Sequence, residues 1–113
     1  MMVNTSVYRL NGKTYTLSLT TSASSALLIT PKSNDQTNYV HLLNTGTGVA
    51  AVELSNGATF IDPAIASTGN AGSYVLPAAM NYPIVIACPA GPLYIKAISS
   101  GTNVLYITPC LAD

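Results

Sequence analysis

The chain has 113 residues and only eight charged side chains, four basic and four acidic, so its formal net charge is zero. Charged residues make up 7% of it and hydrophobic residues 49%, against about 25% charged in an average domain. Disorder needs low hydropathy and usually high net charge, so it is excluded. Nucleic-acid binding through phosphates needs clustered cations, and Arg9, Lys13, Lys32 and Lys96 are scattered. A polybasic membrane anchor fails for the same reason. The balance of the chain is small and neutral, with 13 Thr, 11 Ser and 9 Asn.

The length fits one domain, which on folding would bury about 11,000 Å² of roughly 17,000 Å². The start, MMVNTSVYRLNGK, has neither a basic nor an apolar leader region, so synthesis and assembly in a cytosolic compartment are expected. The apolar stretch from Tyr74 to Ile98 is broken by Pro77, Pro83, Pro89 and Pro92, and no run approaches the ~18 apolar residues of a membrane span.

The periodicity is that of strands. Asn11-Gly12 is a strong signal for a type I′ hairpin. Such a turn would set Leu10 opposite Lys13 and Tyr8 opposite Tyr15. Tyr15, Leu17 and Leu19 alternate with Thr14, Thr16 and Ser18, as in a half-buried strand. Thr20 to Ser25 reads as a small-residue linker, and Ala26 to Thr30 as a short apolar strand ended by Pro31. After a polar loop, Tyr39 to Leu43 forms a strand. The run Asn44-Thr45-Gly46-Thr47-Gly48 turns, and Val49 to Leu54 returns as a hairpin partner. Thr59 to Ile61 is a brief strand before Asp62-Pro63, and Ala64 to Gly72 is a loop. Ser73 to Leu76, Ile84 to Ala87, Leu93 to Ile98 and Val104 to Thr108 complete the set. No segment holds helical spacing over three turns, and there is no repeat of fixed period. The expected fold is all-β: an antiparallel β-sandwich or jelly-roll-like domain of about eight short strands over residues 26–113. Residues 1–25 form an N-terminal hairpin or arm with its linker.

No active site is legible. The single histidine, His41, lies between Val40 and Leu42 and reads as a polar residue on the opposite sheet face. Of the acids Asp35, Glu53, Asp62 and Asp113, only Glu53 and Asp62 invite inspection as a catalytic pair. The simpler reading is an exposed strand residue and an Asp-Pro turn. Gly46 and Gly48 have no P-loop lysine and no helix after them. Cys88 and Cys110 match no zinc or redox spacing. Two small thiols are the plain reading, and a disulfide between them is left open. The expectation is a non-enzyme with no metal, no cofactor, no nucleic acid and no membrane.

Seven tyrosines stand against one phenylalanine and no tryptophan. Tyr39, Tyr94 and Tyr106 are expected at a core margin. Tyr8, Leu10 and Tyr15 on the first hairpin, with Tyr74 and Tyr82 beside the Pro- and Ala-rich stretch, are the candidate contact residues. The charge deficit points the same way, because neutral surfaces associate.

The chain from Tyr39 onward resembles small tailed-phage virion proteins. The resemblance rests on YVHLLNTGTGVAAVEL (Tyr39 to Leu54), YVLPAAMNYPIVIACPAGPLYIKAIS (Tyr74 to Ser99) and GTNVLYITPCLAD (Gly101 to Asp113). It departs at Cys110-Leu111, where the pattern has Gly and an acid, and residues 1–38 have no counterpart. The resemblance implies a capsid decoration, or cement, protein on the virion exterior, assembled in the host cytoplasm. It would bind the major capsid protein as a homo-oligomer, with a trimer favoured and a dimer the alternative, and with the N-terminal hairpin as docking element. The alternative is a carbohydrate-binding or receptor-binding β-sandwich of a phage tail or fibre. An enzyme and a pilus subunit are weaker readings.

Overall fold

The computed structural model describes residues 8–32, 39–89 and 91–112. Nine strands follow in order: β1 (Tyr8–Leu10), β2 (Tyr15–Leu19), β3 (Leu27–Ile29), β4 (Tyr39–Asn44), β5 (Ala50–Ser55), β6 (Tyr74–Leu76), β7 (Ile84–Ala87), β8 (Leu93–Ser99) and β9 (Asn103–Ala112). They form two antiparallel sheets with no helix among the described residues. Sheet A runs β1-β9-β4-β7, with β2 also on β9, and sheet B runs β3-β8-β5-β6. Strands β1 and β2 lie end to end on the same side of β9, so each sheet is four strands wide. The expected all-β sandwich is the observed architecture.

Alternation dictates the core. In β8, Leu93, Ile95, Ala97 and Ser99 are buried while Tyr94, Lys96 and Ile98 are only partly so. In β4, Val40, Leu42 and Asn44 are buried between half-buried neighbours. The inward sets of both sheets meet in one cluster that includes Leu19, Ile29, Val40, Leu42, Val52, Leu76, Ile95, Leu105 and Ile107. Four strand pairs nest within one another: β2 with β9, β3 with β8, β4 with β7 and β5 with β6. The chain is therefore one long antiparallel ribbon folded over on itself, with most connections crossing between sheets.

Three sequence expectations are corrected. First, Asn11-Gly12 makes no hairpin, and Tyr8 and Tyr15 are not partners: both strands pair with β9. The cause is Pro109. It offers no N–H to the ladder, while its carbonyl accepts the Asn11 N–H at 2.9 Å. Residues 11–14 then span only Thr108 and Pro109, because the register runs from Leu10 opposite Cys110 to Tyr15 opposite Ile107. Gly12, at φ 144°, carries the bulge, and a Cβ there would meet the Pro109 ring at 3.0 Å. Strands β1 and β2 thus form an edge of sheet A, Thr20 and Ser24 bond to β8 of sheet B, and Leu19 is fully buried in the core.

Second, the turn after Asn44 joins no hairpin: β4 and β5 belong to different sheets. Third, no strand forms at Thr59 to Ile61. That segment lies in the 56–73 connection, tied over sheet B by the Lys96 ammonium, which donates to the Phe60 carbonyl at 2.8 Å.

The crossover from β4 to β5 is built on buried amides. The Asn44 side chain donates to the carbonyls of Gly48 and Pro77, both at 3.0 Å. Asn103 donates to the Gly48 carbonyl at 2.7 Å and to Ser99 Oγ at 2.6 Å, and accepts the Gly48 N–H at 3.3 Å. Ser99 Oγ in turn donates to the Val49 carbonyl at 3.0 Å. A side chain on Gly46 would overlap Asn103, so glycine is needed there for close approach. On the facing connection, Ala79 sits at φ 50° with its N–H on the Gly46 carbonyl at 2.8 Å.

Two outcomes are expected. Asn103→Ala takes the partner from the Gly48 N–H and one of the two donors from its carbonyl, and should lower unfolding free energy by about 1–3 kcal/mol in urea titration. Deleting residues 1–20 removes β1, β2 and Leu19 and bares one side of β9. The truncated chain should lose its cooperative thermal transition.

Candidate docking face

The outer face of sheet A is assembled from residues that the alternation turns away from the core. Thr16, Tyr106 and Leu43 stand in one row across β2, β9 and β4. Thr108, His41 and Val85 make the next row across β9, β4 and β7. Ser18 and Val104 lie opposite each other beside the first row. Val104 is 36% and Tyr106 37% exposed. No Asp, Glu, Lys or Arg is among the described residues of these rows. At its centre a depression of about 260 Å³ is lined by Thr14, His41, Leu43, Pro83, Tyr106 and Thr108. The Thr14 and Thr108 hydroxyls are hydrogen-bonded at 2.8 Å.

Tyr106 corrects the sequence reading, which set it at a core margin. Its neighbours Leu105 and Ile107 are the buried ones, and the alternation turns Tyr106 outward. Tyr39 and Tyr94 are half-buried. Leu43, Thr16, Val104 and Tyr106 were all absent from the sequence-derived candidates. The period-two pattern of β9 carried the signal, but it becomes a face only once β2 and β4 are known to flank β9.

The five candidates do not form one surface. Leu10 is 69% exposed, and the Tyr8 side chain lies outside the described residues. Tyr15 packs against the core and serves as a cross-link. Its hydroxyl accepts the Thr30 N–H at 3.0 Å, and lies 3.4 Å from the Thr30 carbonyl, to which it donates. This ties β2 of one sheet to the end of β3 in the other. A cavity of about 600 Å³ lies here, lined by Leu10, Gly12, Lys13, Tyr15, Thr30 and Lys32. Tyr74, 51% exposed, and Tyr82, 81% exposed, belong to β6 and to the segment entering β7, on the far side of the sheet order.

The two acids open to a catalytic reading have structural work. Ser73 Oγ donates to Glu53 Oε2 at 2.5 Å. Asp62 meets Lys96 Nζ at 3.0 Å, and the same ammonium stands 4.7 Å from the Phe60 ring centre. Glu53 and Lys96 are cross-strand partners. The three charges thus fasten the 56–73 connection to the outer face of sheet B. The exposed Asp62 limits its ion pair to about 0–1 kcal/mol. Among the described residues, no group of three His, Cys, Asp or Glu could hold a metal ion. Among the described residues, no helix is long and apolar enough to cross a membrane.

Cys88 and Cys110 are free thiols. Tyr39 of β4 pairs with Ala87 on one side and Cys110 on the other. The two cysteines therefore flank β4, about two strand spacings or roughly 9.6 Å apart across the sheet. A disulfide needs its Cα atoms within about 7 Å. Burial, and then the charge a Cys110 thiolate would carry, push the Cys88 thiol up to about 11 from 9.0. Burial also raises Cys110.

At pH 8 the folded protein should therefore hold about a hundredfold less Cys88 thiolate than the unfolded chain, and iodoacetamide should modify it correspondingly more slowly. Because the native thiol titrates above the unfolded one, this group's contribution to stability is intact below pH 9. It should decline as pH rises from 9 towards 11, measurable by urea titration across that range. No protein-family model matches the chain, and no curated protein or solved structure matches it either.

Proposed function

We propose that this chain is a structural virion protein, a capsid decoration or cement protein that binds major capsid proteins on the exterior of a phage head. The observation that carries the reading is the outer face of sheet A, a four-strand surface of Thr, Ser, Tyr, Leu, Val and His without a charged side chain in its rows. Docking such a face strips water from hydroxyls and apolar groups and from no ion, so the desolvation cost of buried charge is avoided. Tyr106 stands between Thr16 and Leu43 as an aromatic anchor with a polar tip.

The nested strand pairs support reading the sandwich as a jelly roll, an architecture of viral capsid and lectin domains. The sequence resemblance from Tyr39 onward supports the same assignment. Cementing works through many modest contacts repeated by symmetry, so avidity replaces a single strong interface. A closed oligomer, trimer or dimer, suits that symmetry. The docking element is the sheet A face rather than the N-terminal hairpin of the sequence reading, since β1 and β2 are committed to β9.

A second reading, a carbohydrate- or receptor-binding domain of a tail or fibre, is favoured by one feature. The central depression brings together the hydroxyls of Thr14 and Thr108, His41 and the Tyr106 ring. The two readings separate in one pair of assays. Purified protein should co-sediment with heads of the phage that encodes it, and Tyr106→Lys should weaken that occupancy about 30-fold, the effect of losing a ~2 kcal/mol anchor. Wild-type protein that stays in the supernatant, yet binds immobilised glycans in a Tyr106-dependent way, establishes the second reading instead.

A further inference from the structure

Two asparagines of the chain are followed by glycine, in Asn11-Gly12 and Asn56-Gly57. Asparagine is a thermolabile side chain. The backbone nitrogen of the next residue can attack its Cγ, and the atoms from Cγ to that nitrogen close a small ring. The step is intramolecular, so local geometry governs its rate. A Cβ on the following residue crowds the attacking nitrogen, and glycine has none. The other described asparagines, Asn44, Asn70, Asn81 and Asn103, precede Thr45, Ala71, Tyr82 and Val104. The two Asn-Gly pairs are alike in sequence, and the fold treats them in opposite ways.

Asn11 is held and covered. It is 3% exposed. Its N–H donates to the Pro109 carbonyl at 2.9 Å, and its carbonyl accepts the Lys32 N–H at 2.7 Å. The peptide planes on both sides of it are therefore fixed, and its backbone cannot turn to bring the Gly12 nitrogen onto Cγ. The surrounding space is also filled. A Cβ on Gly12 would meet the Pro109 ring at 3.0 Å and main-chain atoms of Lys32 and Thr30 at 3.4 Å. Ring closure there requires the sheet edge to open first.

Asn56 stands in the other situation. It is exposed, at the first position after β5. A Cβ on Gly57 would meet nothing within 4 Å, so the ring and an incoming water both have room. The Gly57 N–H donates to Ser55 Oγ at 3.2 Å, the long end of the ordinary range.

We propose that Asn56 is a self-modification site, at which the folded protein converts asparagine to aspartate and isoaspartate while Asn11 is preserved. The Gly57 amide gives its proton to a base in solvent, and its nitrogen forms a bond to Asn56 Cγ. The Cγ–Nδ2 bond breaks, and ammonia leaves after taking up a proton. Water then adds to either carbonyl of the succinimide and breaks one of its two N–C bonds. Cleavage at Cγ gives aspartate. Cleavage at the main-chain carbonyl gives isoaspartate, with the chain routed through Cγ. Either product adds a negative charge to a chain whose net charge is zero. Isoaspartate also lengthens the main chain where β5 passes into the connection that Lys96 ties to sheet B. The inference is independent of the virion reading, since it concerns the isolated protein.

Incubation of the full chain at mildly alkaline pH in water enriched in heavy oxygen tests it, with peptide mapping in acid. Each conversion replaces an amide with a carboxyl that carries the label, and the modified protein focuses at a more acidic position. In folded wild-type protein Asn56 should convert at least about tenfold faster than Asn11. In guanidinium chloride the two sites should convert at similar rates, because the fold alone separates them. Gly57→Ala, whose added methyl has open space around it, should slow conversion of Asn56 at least about tenfold. Three results would each overturn the proposal: an Asn56 that stays intact in the folded protein yet converts in guanidinium chloride, an Asn11 that keeps pace with it in the folded protein, or conversion of Gly57→Ala at the wild-type rate.

Discussion

The structure depends on a knot of three buried polar side chains, Asn44, Ser99 and Asn103. Each ends or begins a central strand: Asn44 closes β4, Ser99 closes β8 and Asn103 opens β9. They converge on the turn that starts β5, through the Gly48 and Val49 carbonyls. Two of these strands belong to each sheet. A hydrophobic core of Leu, Ile, Val and Ala favours burial without direction, and two greasy faces can slide. Amide hydrogen bonds at fixed lengths remove that freedom, because any slip leaves a buried donor or acceptor without a partner. The knot therefore sets how the sheets stack, and so which residues share an outer face.

The scarcity of charge has a related consequence. Of the four cations and four acids, Lys96, Glu53 and Asp62 are engaged over sheet B. This leaves the rows across sheet A neutral. A face of this kind has no long-range attraction, so any association through it would be nearly indifferent to salt. What it offers is shape and hydroxyl complementarity, which act only at contact. The proposed virion role, an interface formed many times on a repeating lattice, would draw on that property.

Strand positions were legible in the residues, and strand partners were not. Ile84 to Ala87 and the alternation of Tyr15 to Leu19 read directly as strands, because side-chain period is a local property. Asn11-Gly12 carried an equally clear local signal that proved wrong. Its meaning was set by Pro109, nearly a hundred residues away, whose missing N–H turns a would-be hairpin into an edge bulge. The run from Asn44 to Gly48 was read as a turn and is one, but the glycines answer to Asn103 and Ser100 across the fold. The candidate docking face was hidden for the same reason. Thr16, Leu43 and Tyr106 are remote in sequence and become neighbours only when β9 is placed between β2 and β4. Glu53 and Asp62 were read as an exposed strand residue and an Asp-Pro turn, and their tie to Ser73 and Lys96 had no local trace.

The nesting of strand pairs fixes the order in which the ribbon can close. The pair β5·β6 is innermost, and β4·β7, β3·β8 and β2·β9 enclose it in turn. Each outer pair is cheap to join only after the pair inside it has shortened the loop. This order predicts folding as a zipper from the middle of the chain outward, on the millisecond-to-second scale expected of non-local β proteins. The seal at the end is β2 against β9, which brings Leu19 into the core. Until that last strand arrives, β9 presents a bare edge, and the newly made chain passes through its most adhesive form just before it becomes its most inert.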